Sequence, residues 1–362
     1  MKILFTSDYQ LGWKLYNNPD LGQDLVDTFI RTVDKAIELK VDCMVVCGDL
    51  FDNVKPTEEL VKVVKDQVVR LDEADIAYYG LAGDHDLPNS QGTAWINVCG
   101  FKYNSDRWPT QGQKIHLLHF NNNPQNVMHQ VELLKETPKA KTVEFICFHG
   151  MVPEMYHWLS EKKVLDFLTL DYKPFPNLKY LIGGDLHNST RLKFTANNGN
   201  AIVIEYCGSP AVIKSDEVGH KQGLLYYNGN ELTRIPFELE REFIKIDYST
   251  TGKDTFDVAY YQKEYKKKPV FLVETDSEST KDRKPLKQLH DIGFVYFPIC
   301  RKADGAEPEE IINIRSELGT GDRIPEVLKE SCKEQAVYNL TYDIINGDVK
   351  AVLDKFKYEV FK

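Results

Sequence analysis

The sequence predicts an α/β protein that begins with a mostly parallel sheet. Short apolar segments of strand length alternate with amphipathic helical patterns, as they do in βαβ units. In addition, five of the apolar segments end abruptly in polar clusters built from Asp, His and Gly. Ligands bind beyond the carboxyl ends of the strands in open α/β sheets, so we expect these clusters to converge on one sheet edge.

The elements follow one another regularly through the first 210 residues. Predicted strands cover residues 2–6, 42–47, 76–82, 143–148 and 180–182. Between the first two strands, apolar residues recur at a spacing of four from Leu21 to Ile37, which predicts a helix. Thr57 and two glutamates precede a second helical pattern, which runs from Leu60 to Leu71. The polar clusters hold the candidate site residues: Asp8 and Gln10, Asp49, Asp84 to Asp86, His149, and Asp185 with His187.

The pattern changes after about residue 200. Strands at 201–206 and 223–227, the latter followed by an Asn-Gly turn, predict a second sheet that packs on the first. Residues 270–299 contain a compact βαβ pattern of their own, and residues 309–346 show the pattern of two apolar helices. The basic stretch 263–268 is either a solvated hinge or a DNA contact. We therefore divide the chain into domains at 1–240, 241–305 and 306–362.

Composition excludes several classes of protein. The 362 residues include 45 Lys+Arg and 55 Asp+Glu, and the net charge of −10 means that the whole surface cannot grip phosphate backbones as a polycation. No stretch approaches the roughly 18 consecutive apolar residues of a membrane span. Most of the seven cysteines lie in apolar segments, which is typical of reduced, buried thiols. The N-terminus lacks the apolar core of a signal peptide, so we expect a cytoplasmic protein.

The residues at the strand ends form a set with the chemistry of a two-metal site. Two divalent cations about 3.5–4 Å apart need a bridging carboxylate, further oxygen and imidazole ligands, and an acid that protonates the leaving oxygen. Asp49 is the candidate bridging ligand. The other candidate metal ligands are Asp8, Gln10, Asp84, His149, Asp185 and His187. We assign His85 as the general acid and Asp86 as the residue that orients it.

Three segments carry a resemblance to a known family. Residues 8–12 (Asp-Tyr-Gln-Leu-Gly), 48–52 (Gly-Asp-Leu-Phe-Asp) and 206–210 (Tyr-Cys-Gly-Ser-Pro) resemble motifs of the calcineurin-like metallophosphoesterases, and in particular those of SbcD-type nucleases. These are the nuclease subunits of SbcCD and meiotic-recombination-type DNA repair complexes, including the recombination nucleases of large phages. The resemblance implies a four-layer β-sandwich that is flanked by helices and carries a small βαβ cap and C-terminal helices.

The same resemblance implies an activity and its partners. The implied activity is exonuclease and endonuclease cleavage of phosphodiester bonds at DNA ends, dependent on Mn²⁺ or Mg²⁺, with two ions expected. The resemblance also implies that the chain acts as a homodimer bound to an SMC-like coiled-coil ATPase of the SbcC type. Residues 1–240 would be the nuclease domain, residues 241–305 a DNA-binding cap, and residues 306–362 the ATPase-binding tail.

Three positions depart from the pattern of that family. The family has His, Asn and His where this chain has Gln10, Asp84 and Asp185. The ligand set therefore carries four carboxylates in place of two, and two divalent cations bound there would leave a net charge of about zero instead of about +2. We expect metal binding to persist and the attraction of a phosphodiester to weaken.

Two interpretations stand beside that of an active nuclease subunit. In the first, the chain is a catalytically impaired subunit that binds DNA or supports the same complex. In the second, it is a stand-alone calcineurin-like phosphatase. The segment 206–210, the cap and the helical tail argue against it, because a small-molecule phosphatase needs none of them.

Overall fold

The computed structural model describes residues 1–87, 93–102, 114–121, 123–152, 165–220, 222–249, 256–276, 285–297 and 300–301. The chain divides into two compact units. The first comprises Met1–Ile244 and Glu264–Pro269, and the second comprises Lys245–Lys263 and Val270–Lys362. The domain functions assigned to 1–240 and 241–305 stay predictions. The helical tail predicted at 306–362 lies outside the described residues.

The described residues contain fourteen strands and five α-helices. The strands are β1 (Ile3–Thr6), β2 (Cys43–Cys47), β3 (Ala77–Leu81), β4 (Ile115–Leu117), β5 (Phe145–His149), β6 (Tyr180–Gly184), β7 (Arg191–Thr195), β8 (Ala201–Tyr206), β9 (Gly223–Tyr227), β10 (Leu232–Pro236), β11 (Phe243–Asp247), β12 (Val270–Asp276), β13 (Phe294–Tyr296) and β14 (Cys300–Arg301). The α-helices are α1 (Pro19–Leu39), α2 (Glu58–Glu73), α3 (Trp95–Val98), α4 (Pro124–Lys135) and α5 (Leu289–Ile292).

The first unit contains two five-stranded sheets. One has the order β10-β9-β1-β2-β3 and the other the order β4-β5-β6-β8-β7. Neighbours from β1 to β3 and from β4 to β6 and β8 are parallel, whereas β9, β10 and β7 pair antiparallel with their neighbours. Mixed sheets of this kind confirm the predicted α/β class.

The layers follow from the alternation of side chains along each strand. On β1, Ile3 and Phe5 belong to the core between the sheets, and Leu4 belongs to a second core that includes residues of α1 and α2. On β5, Phe145 faces the inter-sheet core and Ile146 faces a third core, which includes residues of α4. Because successive strand residues point to opposite faces, each sheet is covered on both sides. The result is the four-layer sandwich that the sequence resemblance implies.

The predicted division into an early sheet and a later sheet is wrong. The strand at Ala201–Tyr206 does join the second sheet, but Gly223–Tyr227 pairs antiparallel with β1 in the first. The second sheet also begins earlier, at β4, so the five polar clusters follow strands of two sheets and not one. A run of apolar residues indicates a strand but carries no information about its partner, which tertiary packing selects.

The second unit has its own sheet, of order β11-β12-β13 with β14 paired to β12. Strands β12 and β13 are parallel, with Val270 opposite Phe294, and α5 precedes β13. This arrangement confirms the βαβ pattern predicted for residues 270–299. Among the described residues, none of the helices combines the length and apolar character that a membrane crossing requires.

The segment Glu264–Pro269 is attached to the first unit by ion pairs. Lys267 Nζ lies 2.9 Å from Asp24 Oδ1 and 2.6 Å from Asp27 Oδ2, both on α1. Arg241 is buried, forms an ion pair with Asp24 and donates a hydrogen bond to the backbone oxygen of Lys268. At Lys267, therefore, the basic stretch 263–268 is not a solvated hinge. The Lys267 ammonium is paired with carboxylates of α1 and is not free to contact DNA.

We expect His116 to make the stability of the protein depend on pH. Burial lowers the pKa of this β4 side chain to about 3, and its Nδ1 has no hydrogen-bond partner among the described residues. The unfolded chain, with a histidine pKa of about 6.5, binds more protons between these values, so the free energy of unfolding falls as the pH drops. At pH 5 the loss is about 2 kcal/mol.

Denaturant unfolding at several pH values measures this loss. His116→Gln should flatten the pH dependence between pH 7 and pH 5, whereas His129→Gln, a change at an exposed histidine on α4, should not. If wild type and His116→Gln lose stability in parallel as the pH falls, His116 is not the group responsible.

Candidate metal centre

The candidate site residues converge where strands of both sheets end. Asp8, Asp49 and Asp84 follow β1, β2 and β3, while His149 and Asp185 come at the ends of β5 and β6. An open cleft of about 510 Å³ lies at this point. Its polar lining includes these side chains: Gln10, Asp49, Asp52, Asp84, His85, Asp185, His187, Asn188, Lys214, Asp216 and Glu217.

Three sets of side chains at the cleft have the spacing of metal ligands. They are Asp8 with Asp49 and His149, Asp49 with Asp84 and His85, and Asp84 with His149 and Asp185. Within each set, one atom from each residue lies within 4.8 Å of the others. A cation with bonds of about 2.1 Å holds opposite ligands about 4.2 Å apart, so small side-chain movements would complete a shell. Carboxylate oxygens and imidazole nitrogens are donors that fit Mn²⁺ or Mg²⁺.

Four of the predicted ligands adopt an unusual backbone conformation. The φ angles of Asp8, Gln10, Asp49 and Asp185 are 56°, 50°, 52° and 91°, in the left-handed half of the Ramachandran map. Such angles are uncommon for residues other than glycine and collect at functional sites, where the surrounding structure imposes them. No pattern in the sequence predicts these angles.

Two glycines allow the strand-end loops to approach closely. A Cβ atom on Gly83 would lie 2.0 Å from Asp49 Oδ1, and one on Gly48 would lie 2.2 Å from His149 Nδ1. Both distances are far below van der Waals contact. The glycines that mark the ends of the predicted strands are therefore required for the two sheets to bring Asp49 and His149 together.

Asp49 lies at the centre of the site. Burial raises its pKa to about 8, although the charge of His149 opposes that shift. Its Oδ2 accepts a hydrogen bond of 2.6 Å from Gln10 Nε2, and its Oδ1 accepts one of 3.2 Å from the backbone N–H of His85. An amide at position 10 therefore touches the central carboxylate, and its oxygen is the atom that would bind a cation.

A backbone oxygen orients the ring of His149. Its Nδ1 lies 2.9 Å from the backbone oxygen of Cys47, which is an acceptor only, so Nδ1 carries the proton of the neutral ring. Its Nε2 lies 3.2 Å from Asp84 Oδ1 and 3.5 Å from Asp49 Oδ1. Burial lowers the pKa of His149, but the surrounding carboxylates outweigh burial and raise it well above the ordinary value.

The residue that contacts the His85 ring is Asp52 and not Asp86. His85 Nδ1 lies 2.9 Å from the backbone oxygen of Asp52 and 3.6 Å from its Oδ1. A hydrogen bond with Asp52 raises the pKa of His85 to about 10, although burial lowers it. We expected Asp86 to orient His85, and in this the expectation is corrected. Asp52 lies within the segment 48–52, but its contact with the His85 ring forms only when the two loops meet in the fold.

Asp86 ties two loops of the site together. Its carboxylate is buried and accepts hydrogen bonds from the backbone N–H groups of Leu50 at 3.0 Å, Phe51 at 2.9 Å and Gly83 at 3.2 Å. The first two amides belong to the loop that carries Asp49, and the third to the loop that carries Asp84. Because a buried N–H must be paired, one side chain fixes the relative position of both loops.

His187 lies in the cleft but outside the three sets. Its Nδ1 is 2.5 Å from Glu217 Oε1, and Glu217 is buried. Sequence reasoning missed Glu217, since an acidic residue in the polar stretch 214–217 carries no signal of its own. Asp8, by contrast, belongs to one of the three sets. Its carboxylate accepts hydrogen bonds from Ser7 Oγ at 2.5 Å and from the backbone N–H of Asp185 at 3.1 Å.

Comparisons with known proteins show the family of the chain and several similar proteins. The family described as "Calcineurin-like phosphoesterase" matches residues 1–189. A protein of Methanococcus maripaludis named "DNA double-strand break repair protein Mre11" is 26% identical over 394 aligned residues, which cover 99% of this chain and 99% of that protein. The protein of the same name from Sulfurisphaera tokodaii is 23% identical and covers 95% of this chain and 89% of its own length. That of Methanocaldococcus jannaschii is 24% identical over 75% of each chain.

Asp86→Asn should destabilise the protein rather than impair His85 alone. The amide presents N–H donors to a position where three backbone N–H groups need acceptors, and each buried N–H left unpaired costs about 1–3 kcal/mol. Denaturant unfolding measures the cost, with His85→Asn as the matched variant one residue away. That variant should lose less stability than Asp86→Asn, because the His85 side chain is 43% exposed and its removal leaves none of the three buried N–H groups unpaired.

If both variants keep wild-type stability, the loop-tying role assigned to Asp86 is wrong.

Proposed function

The chain belongs to the calcineurin-like phosphoesterase family, and from that premise we propose that it is a metal-dependent DNA nuclease of the SbcD type. The observation that carries the proposal is the convergence of four carboxylates and two imidazoles on one cleft in a chain of this family. The named repair proteins that match 75% or more of the chain supply the substrate class, which is DNA at broken ends.

The proposed ligands are the seven residues that the sequence singled out. Asp49 is the bridging ligand, with Asp8 and Gln10 on one side of it and Asp84 and His149 on the other. Asp185 and His187 complete the set. Two divalent cations bound there would activate a water molecule and stabilise the negative charge that develops on the scissile phosphate.

His85 acts as the general acid in this proposal. Asp52 raises the pKa of His85 to about 10, which keeps the ring protonated at neutral pH. Since Nδ1 faces the backbone oxygen of Asp52, Nε2 is the atom that delivers the proton to the leaving oxygen. Asp52, and not Asp86, positions the ring.

The acidity of the cleft limits how strongly it attracts DNA. Six carboxylates line it, on Asp49, Asp52, Asp84, Asp185, Asp216 and Glu217, and within the described part of the chain Lys214 is the one lysine or arginine in the lining. A phosphodiester that enters meets a site whose metal charge is largely cancelled. This observation favours a second candidate function, in which the chain is a catalytically impaired, DNA-binding subunit of the same complex.

The assembly belongs to the proposal as well. We propose a homodimer that binds an SMC-like coiled-coil ATPase through residues 306–362, with 241–305 as a DNA-binding cap. The proposal rests on the sequence resemblance and on relatives that are similar over nearly their whole length. A protein with these partners works in the cytoplasm, which is the host cytoplasm if a phage encodes it.

A nuclease assay on the purified full-length chain tests the proposal. End-labelled linear DNA should be cleaved in the presence of Mn²⁺ and left intact with a chelator. Asp49→Asn should abolish cleavage, because it removes the bridging carboxylate. His85→Ala should lower the rate by about 10²–10⁴-fold while Mn²⁺ still binds. Cleavage that persists undiminished in Asp49→Asn would come from a contaminant and not from this site.

Reducing the negative charge of the site should raise the rate of cleavage. Three substitutions restore the residues of the family pattern: Gln10→His, Asp84→Asn and Asp185→His. Because ligands of one site act together, the triple variant should lower the activation free energy by more than the sum of the three single variants. The measurement is the rate of Mn²⁺-dependent cleavage, with His85→Ala added to the triple variant as the control that abolishes the gain.

Two outcomes contradict this charge argument in different ways. A wild-type protein that already cleaves as fast as the triple variant shows that the acidity is compensated elsewhere. A triple variant that binds Mn²⁺ and stays inert places the defect outside the ligands.

A further inference from the structure

The Glu217 carboxylate uses its two oxygens for different partners. Its Oε2 accepts hydrogen bonds from the backbone N–H groups of Ile213 at 2.7 Å and Lys214 at 3.1 Å. Its Oε1 lies 2.5 Å from His187 Nδ1. The residue is only 4% exposed, so water does not replace these contacts. Glu217 ends the short 3₁₀ turn Ser215–Glu217, which lines the cleft.

These contacts determine where the proton of His187 lies. A backbone N–H can only donate, so Oε2 must accept from Ile213 and Lys214. The ionised carboxylate carries no proton, so its Oε1 is an acceptor as well. His187 Nδ1 must therefore carry a proton towards Oε1. In the neutral ring, this leaves the lone pair on Nε2, the nitrogen that a metal ion would use.

We propose that Glu217 is a positioning residue that fixes the tautomer and orientation of His187 so that its Nε2 can bind a divalent cation in the cleft. The proposal rests on the proposed function, since it requires that the cleft bind metal. Carboxylates behind ligating histidines fix the ring and raise its basicity, and their loss weakens metal binding by about 10–100-fold.

The second imidazole of the site has the same arrangement. His149 Nδ1 faces the backbone oxygen of Cys47 at 2.9 Å, and its Nε2 faces Asp84 and Asp49. Both histidines among the seven predicted ligands thus have Nδ1 fixed by an acceptor behind the ring. A backbone oxygen cannot be altered by substitution, whereas Glu217 can, which makes His187 the one to test.

A purely structural role is the alternative explanation. Glu217 could serve only to pair the backbone N–H groups of Ile213 and Lys214. Glu217→Gln separates the two roles. The glutamine oxygen can still accept from both N–H groups, but its NH₂ group then faces His187 Nδ1 and must donate to it. The proton of the neutral ring moves to Nε2, where it blocks metal binding.

The experiment compares full-length wild type, Glu217→Gln and Asp216→Asn. The last variant removes the same charge from an exposed neighbour in the cleft. The tautomer of His187 is read by ¹⁵N NMR of histidine-labelled, metal-free protein, at a pH where the ring is neutral. Mn²⁺ affinity is measured by calorimetry. We expect the proton on Nδ1 in wild type and on Nε2 in Glu217→Gln.

The affinity of Glu217→Gln for Mn²⁺ should fall by about 10–100-fold, and that of Asp216→Asn by less than about threefold. In a His187→Ala background, Glu217→Gln should cause no further loss, because Glu217 acts through His187. The unfolding free energy of Glu217→Gln should stay close to that of wild type, since the backbone N–H groups remain paired.

Several results would overturn the inference. One is a wild-type ring with its proton on Nε2, which can be observed even if Glu217→Gln does not fold. Another is an unchanged Mn²⁺ affinity in Glu217→Gln, and a third is additive losses in the double variant. If wild type binds no Mn²⁺ although its His187 proton lies on Nδ1, the proposed function fails, and that result is distinct from the other three.

Discussion

Repulsion among buried carboxylates is the interaction on which the rest of this centre depends. Asp8 and Asp49 are buried side by side, Asp84 and Asp185 lie next to them, and burial raises the pKa of Asp49 to about 8. Such a group either takes up protons or binds cations. Since His149 and the paired carboxylates lie at ligand spacing, the second solution needs only small side-chain movements. The fold keeps the ligands together because other interactions oppose their repulsion.

Those opposing interactions come from backbone groups. Asp86 accepts three N–H groups from two loops, Asp8 accepts the N–H of Asp185, and the backbone N–H of His85 points at Asp49. A dipole directed at each of these three carboxylates stabilises its charged form without adding a lysine or arginine that would compete with a cation. The left-handed angles of the ligand residues fit the same account, because strained backbone persists only where surrounding bonds determine it.

The sequence predicted the residues of the site better than their arrangement. Asp49 and His149 could be identified because each follows an apolar strand and stands next to a glycine, which is a local signal. The pairing of β9 with β1, the contact of Asp52 with His85, and the contact of Glu217 with His187 could not be predicted in this way. Each depends on which segments meet after folding, and Glu217 is 30 residues away from the ring that it touches. Local patterns therefore reveal ligands, whereas the residues that orient them become visible only in three dimensions.

Metal binding and attraction of DNA respond in opposite ways to the acidity of this cleft. Each additional carboxylate strengthens the binding of a divalent cation and cancels more of the charge that would attract a phosphodiester. Oxygen ligands impose little direction, so in the proposed centre the directional part would fall to the two imidazoles, whose Nδ1 atoms face the Cys47 backbone oxygen and the Glu217 carboxylate. A chain that loses positive potential can thus keep an ordered metal centre. For this reason an intact ligand geometry is compatible both with an active nuclease and with an impaired subunit, and the charge of the cleft, more than its shape, separates the two.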